Sequence, residues 1–222
     1  MKQQPVVLIT GALTGIGEAT ARAFAQQKAR VVVSGRNEEL GRALSADIAA
    51  NGAEAEFILC DVRKDTDVAT LVDATLARFG RLDVAVNNAS TGGTSAPIVD
   101  QDPQSFAAAF DTNVLGTLLS LKYELRAMLQ QGSGSIINVS STVGDRGAPN
   151  VAVYAASKHA VEGLTKSAAL EAAPGGVRVN AVAPGFTETA MLRRIANTPE
   201  KLKHFAKALR SSAYVTSTTW PM

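Results

Sequence analysis

Short runs rich in β-branched residues recur along the chain at positions 6–9, 30–34, 56–59, 82–86, 135–139 and 177–181, and each predicts a strand. Between them, apolar residues return at helical spacing over 16–27, 38–50, 68–79, 106–129 and 153–173. Strand and helix therefore alternate. The strands are almost continuously apolar and the intervening helices are long enough for crossovers, so the pattern predicts a parallel sheet covered by helices on both faces. That is a doubly wound, three-layer α/β/α architecture. Asn51-Gly52, Gly80, Gly132 and Pro174-Gly175-Gly176 mark where helices stop. A chain of 222 residues with this repeating pattern reads as one domain over 1–222.

The first predicted strand runs into Thr10-Gly11-Ala12-Leu13-Thr14-Gly15-Ile16-Gly17 and then into the first helix. Glycines at 11, 15 and 17 permit a tight turn, close approach of backbone to a pyrophosphate, and tight packing of helix on strand. The helix that follows offers unpaired N–H groups and a positive dipole end to the anion. This placement between first strand and first helix gives the glycine cluster its meaning. The second strand ends Ser34-Gly35-Arg36, where an NAD-binding fold would hold an acidic residue against the ribose 2′-hydroxyl. A guanidinium there suits a 2′-phosphate, so NADP is the expected cofactor, with NAD and a merely solvated arginine as the alternatives.

Tyr154 and Lys158 stand four residues apart in the last helical stretch and share a face. An unperturbed phenol, with a pKa of about 10, is a poor acid or base at neutral pH, and a nearby ammonium favours its phenolate. Thirteen residues before Tyr154, at the end of the 135–139 strand, Ser141 offers a hydroxyl to a substrate oxygen.

With these residues in place the chain resembles the short-chain dehydrogenase/reductase family from about residue 6 to 191, with its motifs in order. The loop 10–17 looks like the family's T-G-x-x-x-G-I-G, Asp61-Val62 like its adenine-binding pair, and Asn87-Asn88-Ala89 like its N-N-A-G segment. Asn113, Ser141, Tyr154 and Lys158 look like its catalytic tetrad, and Pro184-Gly185 with Thr187 and Thr189 like the segment that holds the nicotinamide carboxamide. The resemblance implies a Rossmann fold and an NAD(P)-dependent oxidoreductase that interconverts a carbonyl and a secondary alcohol. In it Tyr154 is the acid for reduction and the base for oxidation, and Lys158 lowers its pKa and binds the nicotinamide ribose. Ser141 orients the substrate oxygen, and Asn113 supports a water relay from Lys158 to solvent.

The chain departs from the family pattern at Ser90, where glycine is usual. The resemblance also makes 186–210 a lid over the substrate, and 211–222 an abbreviated ending that lacks a helix and a turn, so the implied homo-oligomer, dimer or tetramer, is in question. The formal charge of +2 is too small to argue for nucleic acid or an anionic membrane as partner. No apolar stretch approaches the roughly 20 residues of a membrane span. Two histidines, His159 and His204, and one cysteine, Cys60, give a metal site little to build on. A cytoplasmic protein acting on a small molecule is the expectation. Substrate choice would fall to residues 91–97, 142–151 and the lid. Two other functions compete: a catalytically silent cofactor-binding protein, and a lyase or epimerase using the same tyrosine.

Overall fold

This computed structural model describes residues 4–185 and 187 of the chain. Six strands, β1 (Val6–Thr10), β2 (Arg30–Gly35), β3 (Ala55–Leu59), β4 (Val84–Asn87), β5 (Gly134–Val139) and β6 (Val177–Val182), form one sheet in the order β3-β2-β1-β4-β5-β6. Every pairing is parallel. The chain first works outward from β1 to β3 and then crosses back to β4, so a topological switch lies between β1 and β4. There Thr10 pairs with Asn87, and a crevice opens beyond the carboxyl ends of both strands.

Successive side chains of a strand point to opposite faces, and at β1 both faces are dry. Val6 and Leu8 of β1 join one buried cluster and Val7 and Ile9 the other. The first cluster is roofed by α3 (Asp65–Phe79), α5 (Gly116–Gln131) and α6 (Ala152–Ala172), through residues such as Leu71, Met128 and Ala172. The second is roofed by α1 (Gly15–Gln26) and α2 (Glu38–Ala50), through Ala21, Leu44 and Ile48. Coverage is unequal at β6. Val177, Val179 and Ala181 are buried, whereas Arg178 and Val182 on its other face stay exposed among the described residues.

Two elements differ from the expected pattern. The stretch 106–129 is not one helix: α4 (Pro103–Phe110) starts earlier, with Asp102 accepting from the Ser105 N–H at 2.7 Å and Pro103 in the first turn. A π-helical turn at Asp111–Leu115 then separates it from α5. The fourth strand starts at Val84 rather than at residue 82, because the Gln131 side chain takes the place of a strand neighbour. It accepts from Leu82 N–H and donates to the Leu82 carbonyl, each at 3.2 Å. Thr189, the expected lid at 186–210 apart from Thr187, and the ending at 211–222 lie outside the described residues.

Candidate active site

The phosphate-type loop is shaped by contacts that tolerate no side chain. Gly11 has φ +62°, and a Cβ on it would stand 2.6 Å from the Ala89 Cα. A Cβ on Gly17 would meet the Gly11 carbonyl oxygen at 2.4 Å and Asn88 Nδ2 at 2.5 Å. Asn88 fixes the loop from the β4 side: its Nδ2 donates to the carbonyls of Gly11 (2.8 Å) and Thr10 (3.2 Å). The Asn88 side chain is therefore engaged with the loop itself. Thr14, the N-cap of α1, makes no side-chain capping bond, and Thr14, Gly15 and Ile16 line the cleft.

Arg36 follows β2 at the far end of the same cleft and makes no hydrogen bond or ion pair among the described residues. Its neighbour Asn37 is spent on capping α2, accepting from Leu40 N–H at 3.0 Å. Asp61 lies in the cleft wall with Val62, and its carboxylate is gripped by the Arg63 guanidinium at 2.9 Å and 3.1 Å. That pairing holds the Asp61 pKa down at about 2, with Arg36 adding a smaller pull in the same direction.

The other end of the cleft is built by β5, α6 and the segment after β6. Ser141, Tyr154 and Lys158 all line it. Ser141 caps a short turn by accepting from Val143 N–H at 3.4 Å. The strand ends are tied together, since Ser140 N–H donates to the Val182 carbonyl (2.8 Å) and Thr142 N–H to the Pro184 carbonyl (3.1 Å). Pro184, Gly185 and Thr187 thereby join the same wall. Lys158 is buried, and its Nζ donates to the Val139 carbonyl at 2.8 Å while lying 5.7 Å from the centre of the Tyr154 ring.

Burial governs both groups. It lowers the Lys158 pKa to about 8, with Glu162 opposing. It raises that of Tyr154, while the hydrogen-bonding influence of Ser141 pulls it down. The lowering of the phenol pKa expected from Lys158 is absent: burial and Ser141 are the influences on Tyr154, and the ammonium is turned toward the Val139 carbonyl.

Asn113 sits in the π turn, buried, with all its side-chain bonding used. Its Oδ1 accepts from Thr91 N–H (2.8 Å) and Ser90 Oγ (3.1 Å), and its Nδ2 donates to the Thr91 carbonyl and Ser157 Oγ, each at 2.9 Å. Asn113 therefore joins the loop after β4 to the helix that carries Tyr154 and Lys158. Ser90, the departure from the family pattern, contributes a bond that glycine could not make. His159 bonds back to the Ala155 carbonyl of its own helix.

Sequence reasoning missed Ser157 and the buried polar residues Glu124, Asn138 and Thr165, which Asn87 joins in one hydrogen-bonded set. The available signal was a polar residue inside an apolar pattern: Asn138 within its strand, Glu124 between Leu121 and Met128.

The cleft holds about 860 Å³, within the range of small-molecule sites. Its residues fit a nicotinamide dinucleotide: a guanidinium at one end, an uncapped helix N-terminus in the middle, and a phenol beside an ammonium at the other. Among the described residues no cluster of His, Cys, Asp and Glu could hold a metal, and no helix is long and apolar enough to cross a membrane. A profile of the short chain dehydrogenase family matches residues 5–200. The chain belongs to this family.

Among short-chain dehydrogenase relatives, the 2,5-dichloro-2,5-cyclohexadiene-1,4-diol dehydrogenase of Sphingobium indicum is 38% identical over 204 residues, 91% of this chain and 80% of that protein. The A-factor type gamma-butyrolactone 1'-reductase (1S-forming) of Streptomyces virginiae is 44% identical over 188 residues, 84% of this chain and 73% of that protein. Among solved structures, actinorhodin polyketide ketoreductase with NADPH superposes with a TM-score of 0.83 at 37% identity, covering 94% of this chain and 78% of that one. NAD+-bound xylitol dehydrogenase gives a TM-score of 0.81 at 37% identity, covering 84% and 72%. The protein is a nicotinamide-dependent oxidoreductase that interconverts a carbonyl and an alcohol on a small-molecule substrate.

Proposed function

We propose that Tyr154 is the proton donor for carbonyl reduction and the acceptor for alcohol oxidation, with Ser141 orienting the substrate oxygen and Lys158 supplying the adjacent charge. The observation that carries this reading is the meeting of Ser141, Tyr154 and Lys158 on one wall of the cleft that begins at the glycine loop. When bound, the nicotinamide supplies or accepts the hydride. The Ser141 hydroxyl hydrogen-bonds the carbonyl oxygen, and Tyr154 delivers its phenolic proton as negative charge develops there. A raised pKa keeps Tyr154 in the protonated form that reduction needs. Lys158, with a pKa of about 8, is mainly cationic at neutral pH and steadies the phenolate left behind. Asn113 acts as a positioning residue, holding the 90–91 loop and Ser157 so that a relay from Lys158 can reach solvent.

For the cofactor we assign the pyrophosphate to Gly11, Thr14, Gly15, Ile16 and Gly17, and the adenosine to Asp61, Val62, Asn88 and Ala89. The ribose hydroxyls near the nicotinamide fall to Tyr154 and Lys158, and its carboxamide to Pro184, Gly185, Thr187 and Thr189. Arg36, with no ionic partner of its own among the described residues, supports a preference for NADP over NAD. Titration with both reduced cofactors tests it. NADPH is expected to bind tighter, and equal or tighter NADH binding ends the preference.

A cytoplasmic homo-oligomer, dimer or tetramer, completes the reading. The free, buried Cys60 supports the compartment, and exposed Leu118, Leu129 and Leu170 on α5 and α6 support self-association. Light scattering on the purified protein tests the assembly. The activity itself is tested with a panel of ketones, aldehydes and sugars, following loss of reduced nicotinamide. Turnover of at least one carbonyl compound is expected. Tight cofactor binding with no turnover across the panel would point to a silent binding protein.

A further inference from the structure

Beneath the cleft a carboxyl group is sealed in the core. Glu124 of α5 is 1% exposed, and Asn87 Nδ2 donates to its Oε2 at 2.9 Å. The same amide nitrogen donates to Asn138 Oδ1 at 3.0 Å, across the β4–β5 pairing in which Asn87 and Asn138 stand opposite each other. Asn138 Nδ2 in turn donates to Thr165 Oγ1 of α6 at 2.9 Å, and Thr165 Oγ1 donates to the Val161 carbonyl at 2.7 Å. One chain of hydrogen bonds thus runs from α5 through two strands to α6.

The next residue along each strand belongs to the cleft. After Asn87 comes Asn88, which holds the Thr10 and Gly11 carbonyls of the phosphate-type loop. After Asn138 comes Val139, whose carbonyl receives Lys158 Nζ. We propose that Glu124 is a positioning residue of the active site, which through Asn87 and Asn138 locks the ends of β4 and β5 and so fixes the cofactor loop relative to Lys158.

Burial favours the neutral form of the Glu124 carboxyl. Around it β4 presents Asn87, β5 Asn138 and α6 Thr165, while Val177 and Val179 of β6 belong to the surrounding apolar cluster. On α3, Asp65 is occupied by Lys122 and Tyr123 of α5, and Arg126 lies over the Tyr123 ring. No charged group from these elements opposes or supports the carboxyl. Burial pushes its pKa up to about 7, with the Asn87 bond pulling the other way. Ionisation strengthens the pull on the amide nitrogen that also serves Asn138, and so weakens the bond between the strands.

The inference rests on the proposed cofactor site, and its test is read in binding, without turnover. Fluorescence titration of the full chain with NADPH compares wild type with Glu124→Gln from about pH 5.5 to about pH 8.5, so that influences common to both cancel. The variant is expected to match wild type within about two-fold at the acid end, and to bind at least about three-fold tighter at the alkaline end. Glu124→Leu, which removes the acceptor, is expected to weaken binding at both ends with no step between them. Superimposable wild-type and Glu124→Gln profiles overturn the proposal, even if Glu124→Leu fails to fold. Absence of cofactor binding by wild type overturns the functional reading and this inference with it. Binding without turnover leaves this test decisive while removing the catalytic assignment.

Discussion

Lys158 holds its ammonium inside the protein with a carbonyl as its hydrogen-bond acceptor, and burial lowers its pKa from 10.5 to about 8. Between those two values the unfolded chain binds more protons than the native one, so stability rises with pH across that window and the penalty is fully present below it. Lys158→Met is therefore expected to be more stable than wild type near neutral pH by about 1–3 kcal/mol, after allowing for the lost bond to Val139. The gain should shrink as pH climbs from about 8 toward 10.5. Melting curves of both proteins across that range check it, and a pH-independent difference would contradict it. Tyr154 sets a second pH dependence. Because its pKa is raised, reduction should hold through neutral pH, while oxidation, which needs phenolate, should rise toward alkaline pH. Initial rates in both directions across pH decide the point, and an oxidation rate that falls on the alkaline side would count against the assignment.

At the scale of elements, the cleft depends on close approaches that small changes would disturb. Gly17→Ala places a methyl group 2.4 Å from the Gly11 carbonyl oxygen, so α1 must shift away from the loop. A loss of about 1–3 kcal/mol in stability and at least about ten-fold in cofactor affinity is expected, by denaturation and fluorescence titration. Asn113→Ala strips four hydrogen bonds from the π turn and leaves the Thr91 backbone and Ser157 without their partner. Its expected destabilisation is about 3 kcal/mol or more.

The glycine loop and the alternation of strand and helix could be read from the sequence because each follows a local rule: glycine where a Cβ cannot fit, and apolar runs where both faces of a strand are dry. The π turn could not, since one extra residue in a turn leaves the apolar spacing of 106–129 nearly intact. The bond from Lys158 to Val139, and the reach of Asn113 to Thr91 and Ser157, join segments far apart in the chain. No periodicity encodes such contacts. Glu124 was hidden for a related reason, because a glutamate in a helix usually lies on the solvated face and only the fold turns this one inward.

At the scale of the whole molecule, the strand order brings the carboxyl ends of β1 and β4 together, so the glycine loop and the wall bearing Ser141, Tyr154 and Lys158 open into one cleft. Arg36, Asp61 and Lys158 all line that cleft. A ligand that binds only the folded chain stabilises it, by about 2.7 kcal/mol at a hundred times its dissociation constant. Saturating NADPH should therefore raise the melting temperature by about 5–10 °C. The same shift separates binding from chemistry in the measurement that bears most directly on the proton-transfer role of Tyr154. Tyr154→Phe should keep the NADPH-induced shift and lose about 10²- to 10⁴-fold in turnover of the best carbonyl substrate. Wild-type turnover by Tyr154→Phe would contradict the account.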